Sequence, residues 1–300
     1  TRKEIIKYCY KELKKYIKRV GRYLLTGLPV QHVTANIVTL LPNKLLCGRT
    51  ALITGGTSGI GYTIAEAFLR SGASVCITGR DEARLVASIH KLKNQCSIGM
   101  DNEIHFLLLD NRDVQSFSER LKEAEHICGK IDILVNNAGL LGGDISTATE
   151  EEYDAVLDTN LKGTFFLSQM VARNMKQNKI KGNILNIASS SSFRPAASAY
   201  TLSKWGLRGL TLGLAKSFAP YGIVVNGIAP GPTVTPMILK DVSSNLLFEG
   251  NPLGRYALPE EIANMAVFLV SDMGRTVVGD IVCMTGGAGL ITFDDVNYNF

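Results

Sequence analysis

This 300-residue chain lacks long apolar runs; none approaches the length a bilayer-spanning helix requires. Its basic N-terminus is not followed by an uninterrupted apolar stretch, because Gly27, Pro29, Gln31 and His32 interrupt it, so no secretory signal is expected. The six cysteines (9, 47, 76, 96, 128, 283) contain no CxxC pair and the four histidines (32, 90, 105, 126) no HxH or HxxxH pair. That excludes a disulfide framework and argues against a metal centre, leaving free thiols in a reducing compartment. Prolines are few, and with 46% hydrophobic and 20% charged residues the composition is that of a packed globule expected in the cytoplasm.

Net positive charge is missing from most of the chain as well. Residues 1–22 carry nine Lys or Arg against Glu4 and Glu12, a net of +7, while the whole chain is +5, so the rest is slightly acidic. The main body is therefore not a nucleic-acid binder. Within residues 3–25, Ile6, Tyr10, Leu13, Ile17, Val20 and Leu24 recur at steps of four and three, which predicts an amphipathic helix with one apolar seam. Gly27 and Pro29 end it. Residues 1–44 are expected to be a basic helical extension with a connector, and 45–300 a single catalytic domain.

From Arg49 onward, short apolar runs alternate with helical patterns. The runs are "TALIT" (50–54), "SVCIT" (74–78), "IHFLLL" (104–109), "IDILVN" (131–136), "NILNIA" (183–188), "IVVNGIA" (223–229) and "DIVCMT" (280–285). They are continuous rather than alternating, as strands covered on both faces should be. Helices are expected at about 60–71, 81–94, 114–128, 150–177, 200–218 and 259–271. This order predicts an α/β fold: one doubly wound, Rossmann-like parallel sheet of about seven strands, helices on both faces, plus the N-terminal helix. Ligands bind such sheets beyond the C-terminal strand ends.

Those ends are informative. After the first strand, "TGGTSGIG" (54–61) places Gly55, Gly59 and Gly61 before a helix, a backbone cradle for a pyrophosphate at the helix N-terminus. After the second, Gly79 stands where an acidic residue would bind a ribose 2′-OH. Arg80 follows and suits a 2′-phosphate, so NADP is expected over NAD. Asp110, "NNAG" (136–139), "SSSS" (189–192) and "PGPTVTP" (230–236) follow later strands. In "SAYTLSKWG" (198–206), Tyr200 and Lys204 are four residues apart and share a helical face, where a cation would lower the phenol's pKa of about 10.

Taken in order, TGGTSGIG, NNAG, Asn160 in "DTNLKG", the serine run ahead of "YTLSK", PGPTVT, "NPLGRYALPEEIANMAVFLVSD" (251–272) and "TGGAGL" (285–290) resemble the short-chain dehydrogenase/reductase family over residues 45–290. The chain is similar to that family's 3-oxoacyl-thioester reductases and its sugar or alcohol dehydrogenases. The resemblance implies Tyr200 as general acid/base, Lys204 lowering its pKa and binding the nicotinamide ribose, Asn160 positioning a relay water, and Ser189 bonding the substrate oxygen. It also implies cofactor contacts from Gly55, Thr57, Ser58, Gly59, Ile60, Gly61, Arg80, Asp110, Asn111, Asn137, Ala138, Gly139, Tyr200, Lys204, Pro230, Gly231, Thr233 and Thr235. Asp110 is expected at the adenine, Thr233 and Thr235 at the carboxamide side.

The sequence departs from the family pattern in three places. Four consecutive serines leave Ser190 as an alternative to Ser189. The step from Ser189 to Tyr200 is shorter than usual. Ser58 replaces a basic residue common in NADP-preferring members. The substrate is expected to be a small carbonyl or alcohol walled by Leu140, Leu141, Phe193, Met237, Ile238, Leu246, Leu247 and Phe248, with Arg194 facing either an anionic group or solvent. The family implies a homotetramer or homodimer through 150–177, 200–218 and the last strand. The helix at 1–25 is expected to pack on a catalytic domain; the alternatives are a membrane surface or an acidic carrier protein. A catalytically silent scaffold would not need the intact Asn160, Ser189, Tyr200 and Lys204 set.

Overall fold

The computed structural model describes residues 44–96, 103–237, 246, 248 and 250–289, and ten positions of the leading segment. The chain divides into two units, Thr1–Leu40 and Leu41–Phe300. In the first, positions 10, 13, 14, 16–18, 20, 21, 24 and 25 are helical, as the seam requires. Ile6 and the connector lie outside the described residues.

The second unit is built on seven parallel strands: β1 (Thr50–Thr54), β2 (Ser74–Gly79), β3 (Ile104–Leu108), β4 (Ile133–Asn136), β5 (Asn183–Ile187), β6 (Val224–Pro230) and β7 (Ile281–Met284). Their order is β3-β2-β1-β4-β5-β6-β7, so the chain reverses direction across the sheet between β1 and β4. The helices are α1 (Gly59–Arg70), α2 (Glu82–Gln95), α3 (Phe117–Cys128), α4 (Glu150–Leu157), α5 (Gly163–Gln177), α6 (Ala199–Phe218) and α7 (Pro259–Val270).

Successive strand residues face opposite sides, and both sides are apolar. Ala51, Ile53, Val75, Ile77 and Val135 pack with Ile64, Leu85 and Ile262 of α1, α2 and α7. Leu52, Cys76, Leu134 and Val225 pack with Phe117, Leu167 and Leu214 of α3, α5 and α6. Two-sided burial is why the runs read as uninterrupted.

Side-chain caps start the helices where the sequence supplies them. Asp81 accepts from the Arg84 N–H (3.0 Å), Thr149 from Glu152 (3.2 Å) and Ser198 from Thr201 (3.1 Å). At α7, Glu261 accepts from the Leu258 N–H (2.8 Å) and is clamped by Arg255. The expected helix at 150–177 is divided: Asp158–Lys162 forms one wide π turn, with the Gly163 N–H donating to Asp158. At the opposite edge, Arg49 donates to Val270 O (2.6 Å) and Asn183 Oδ1 (2.8 Å), tying β1, β5 and α7 together. Among the described residues no helix is long and apolar enough to cross a membrane.

The direction reversal is held by polar groups. Asn137 Nδ2 donates to the carbonyls of Thr54 and Gly55 (both 3.0 Å), while Thr54 Oγ1 accepts from the N–H groups of Asn137 (3.0 Å) and Ala138 (3.1 Å). Asn137→Ala removes two donors without adding strain. It should lower unfolding free energy by about 1–3 kcal/mol, read as a lower urea midpoint at unchanged slope. An unchanged midpoint would show that the clasp is not stabilising.

Candidate active site

A groove of about 740 Å³ opens beyond the C-terminal strand ends. Its floor at β1 is the glycine turn. Gly55 (φ 65°) and Gly59 (φ 55°) take left-handed conformations, and a Cβ on Gly55 would come within 2.9 Å of Ala138 Cα. Ser58 precedes α1 in extended conformation, its side chain makes no capping bond, and the first turn has no acid. The N-terminal N–H groups and the positive end of the helix dipole are thus available to an anion.

Thr57, Ser58 and Ile60 line the groove with Gly55 and Gly59, as do Arg80, Asp110, Asn111, Asn137, Ala138, Gly139, Pro230, Gly231, Thr233 and Thr235. Gly61 does not. It is buried, and a Cβ there would overlap the Asn137 amide, so its role is close packing of α1 under the turn. Arg84, in the first turn of α2, also lines the groove. Sequence reasoning missed it, although its place in the first turn of the helix that follows β2 was the available signal. Asp110 accepts from the Arg112 backbone N–H (2.9 Å) and guanidinium (2.7 Å). These bonds hold its carboxyl below the usual range, with Arg80's charge adding to the effect. A ligand contact to this carboxylate competes with Arg112.

At the other end, Ser189, Tyr200 and Lys204 meet on one wall. Ser189 stands two residues beyond the end of β5, and its hydroxyl accepts from the Ser191 N–H (3.1 Å). Burial pushes the Tyr200 phenol above its ordinary value, and the neighbouring Ser189 hydroxyl opposes that as the smaller effect. Ser189, rather than Ser190, is the serine that acts on the phenol, although both line the groove. Lys204 is buried and donates to Ile187 O (2.8 Å), its Nζ lying 5.5 Å from the Tyr200 ring centre. Burial pushes its ammonium down to about 8. In this state burial dominates the phenol, and the Lys204 ammonium donates to the strand carbonyl rather than to the phenol oxygen.

Asn160 lies behind the groove wall, fully buried on the π turn. Its Oδ1 accepts from the Leu140 N–H (2.7 Å), and its Nδ2 donates to Leu140 O (2.9 Å) and Ser203 Oγ (3.1 Å). Ser203 in turn donates to Tyr200 O (2.6 Å). The Asn160 side chain braces the segment after β4 and the Tyr200 turn.

Of the expected substrate wall, Leu140, Leu141, Arg194 and Met237 line the groove. Phe193 does not; the Arg208 guanidinium sits 4.3 Å from its ring centre. Phe248 stacks on Tyr256 (4.6 Å) and the Leu246 carbonyl accepts from Tyr256, so neither reaches the groove. Ile238 and Leu247 lie outside the described residues.

The donor set fits a dinucleotide. A glycine cradle at a helix N-terminus, two arginines after β2 and two buried polar atoms without a protein partner, Asn111 Nδ2 and Thr159 Oγ1, belong to residues of one groove. Five described cysteines are unbridged, and among the described residues no cluster of His, Cys, Asp or Glu is placed to hold a metal ion.

Comparison with known proteins agrees with this geometry. The short chain dehydrogenase family model matches residues 49–245. The 3-oxoacyl-acyl-carrier-protein reductase FabG of Aquifex aeolicus is 34% identical, over 81% of this chain and 98% of that protein. The 3alpha-hydroxysteroid dehydrogenase of Mediterraneibacter gnavus is 35% identical over 81% of this chain and 98% of its own. A short chain dehydrogenase from Burkholderia cenocepacia, solved in complex with NADP, superposes with a TM-score of 0.72 at 30% identity, covering 81% of this chain and 98% of that one. The chain belongs to the short-chain dehydrogenase/reductase family, oxidoreductases acting on CH–OH and C=O groups.

Proposed function

We propose that the protein is an NADP-dependent oxidoreductase that interconverts a carbonyl and a secondary alcohol, with Tyr200 as the general acid and base. The observation carrying this reading is the meeting of Ser189, Tyr200 and Lys204 on the groove that also holds the glycine turn and Arg80. The cofactor, when bound, supplies or accepts the hydride. Gly55 to Ile60 would cradle its pyrophosphate, Arg80 and Arg84 its 2′-phosphate, and Lys204 its nicotinamide ribose. The Ser189 hydroxyl donates to the substrate oxygen and fixes it beside Tyr200 Oη. The phenol then donates its proton to that oxygen in the reductive direction and takes it back in the oxidative one. The buried Lys204 ammonium supplies positive charge beside the phenolate left behind. Asn160 holds the Tyr200 turn and the Leu140 segment in register.

In the free protein burial raises the phenol, so Tyr200 is protonated throughout the neutral range, while Lys204 loses its proton near pH 8. Reductive kcat/KM should therefore be level below about pH 8 and fall above it. Oxidation should rise with pH. Tyr200→Phe should abolish turnover while NADPH still binds, monitored by absorbance and by cofactor fluorescence. Near-normal turnover in that variant would sink the mechanism.

Cofactor preference rests on the two arginines and on the NADP found in the Burkholderia cenocepacia relative. Removing both with Arg80→Ala and Arg84→Ala should weaken NADPH binding by roughly 10–100-fold, the loss of one or two charge-assisted bonds, and NADH far less. Equal losses for both cofactors would remove the arginines from that role.

Assembly into a homodimer or homotetramer is supported by an exposed stripe on α6. Leu202, Trp205 and Leu212 are 44%, 42% and 55% exposed, and Gly209 and Gly213 on the same helix have nothing within 4 Å of a Cβ position. Phe165 and Phe166 of α5 are exposed as well. Gly209→Glu has room in the single chain and a better helix former, yet puts a charge into that face. It should shift the mass measured by light scattering toward the monomer; an unchanged mass would place the interface elsewhere.

A further inference from the structure

The groove carries more positive charge than the cofactor accounts for. Arg80 and Arg84 follow β2, and the two acidic lining residues, Asp81 and Asp110, lie at that same end. Arg194 stands at the other end, in the turn that follows Ser189, beside Leu140, Leu141 and Met237. In the sheet order three strand spacings separate β2 from β5, roughly 14 Å along the sheet edge. A 2′-phosphate held at Arg80 does not reach Arg194. A pyrophosphate at the α1 N-terminus, beyond β1, lies two spacings away.

Arg194 is half-buried, and among the described residues its guanidinium has neither a carboxylate nor a hydrogen-bond partner. Of the other cations on the groove, Lys204 bonds Ile187 O, while Arg80, which acts electrostatically on Asp110, and Arg84 stand together at the β2 end. Its backbone, by contrast, is pinned. Its N–H donates to Ser191 O (3.3 Å), and Trp205 Nε1 donates to its carbonyl (2.7 Å). The guanidinium lies across Gly289 (φ 71°), where a Cβ would come within 3.0 Å of both Nε and Nη2. A glycine at that point leaves the space the guanidinium takes up. Among the described lining residues no acid stands on this wall, and a positioned cation beside Leu140, Leu141 and Met237 is a complement to an anion.

We propose that Arg194 is a specificity residue that binds an anionic group, a carboxylate or phosphate ester, carried by the substrate itself. This rests on the reading of Ser189 and Tyr200 as the reacting end. Five residues separate Ser189 from Arg194, roughly 10 Å of tight-turn backbone, so the anion sits several bonds from the reacting carbonyl. The substrate class is accordingly an oxo acid or oxo phosphate ester of medium length rather than a neutral ketone or sterol.

The test uses oxo carboxylates of graded length, their methyl esters and a matched phosphate monoester, with NADPH oxidation as one readout. Trp205, the chain's single tryptophan, gives the second, since its indole is bonded to the Arg194 carbonyl. With the full chain, the acid or phosphate should exceed the ester in kcat/KM by about 10–100-fold, mainly through KM. Arg194→Ala should bring that ratio toward one, and Arg194→Lys should restore part of it. Titration of the cofactor-free chain should give a saturable Trp205 fluorescence change with the anions, absent with the ester and lost in Arg194→Ala. Comparing the carboxylate and phosphate arms identifies which anion is preferred. A ratio near one in the unaltered protein, or one unmoved by Arg194→Ala, overturns the proposal, as does the absence of any saturable change. Saturable anion binding without turnover of any carbonyl would overturn the oxidoreductase reading and leave the anion site standing.

Discussion

Everything at the groove depends on how two strand ends are clasped at the centre of the sheet. Where the chain switches from winding outward through β2 and β3 to winding the other way from β4, the segments leaving β1 and β4 turn to opposite faces of the sheet and leave a crevice. Two side chains bridge it: Asn137 Nδ2 donates to the carbonyls of Thr54 and Gly55, and Thr54 Oγ1 accepts from the N–H groups of Asn137 and Ala138 and donates to Val135 O (3.3 Å). The glycine turn is thereby fixed against the NNAG segment, with Gly55 in contact with Ala138 and Gly61 beneath the Asn137 amide. The α1 N-terminus is aimed by this packing. An Asn137 whose amide is fully used on backbone carbonyls is a structural member of the site, although it sits on the groove's surface.

The wall formed by Ser189, Tyr200 and Lys204 follows a different logic. Its groups are desolvated, and the protein compensates them unevenly. Lys204 has one strand carbonyl, Tyr200 has the Ser189 hydroxyl, and each titrates in the direction burial dictates. The wall is therefore poised with both protons on in the neutral range, the state a carbonyl substrate needs. A sequence comparison reports which residues are present; the direction of their shifts depends on which way a buried ammonium points.

That difference marks what was legible in the sequence. The seven strands were readable because burial on both faces writes an unbroken apolar run, and their C-terminal ends could be inspected in turn. Boundaries moved by a residue or two where the last apolar residue has no ladder partner, as at Leu109. Residues whose chemistry faces the groove, Ser189, Tyr200, Arg80 and the threonines after β6, were found. Asn160 was expected to position a relay water and Gly61 to touch the cofactor; neither lines the groove, and no one-dimensional pattern separates lining from bracing. Phe193 was taken for a wall residue because it is apolar; a cation, Arg208, claims its face. The π turn inside the helix expected at 150–177 was not read; Gly163 at its end was the one signal, and a single glycine within a helical pattern does not specify a wider turn.

That wide turn has a consequence for how the chain tolerates length changes. A π turn is an α-helix holding one additional residue, and the helix on either side keeps its heading. Removing one residue from Asp158–Lys162 would give an ordinary continuous helix, with Val156 and Leu167 still directed at the core. It would fold, and it would withdraw the bulge that presents Asn160 to Leu140. Removing one residue from the middle of α5 instead turns all that follows by about 100° and carries Val171 and Met175 out of the interior. Two deletions a dozen residues apart thus have opposite signatures. The first leaves an intact fold with an unbraced site, and the second unfolds the layer beneath it.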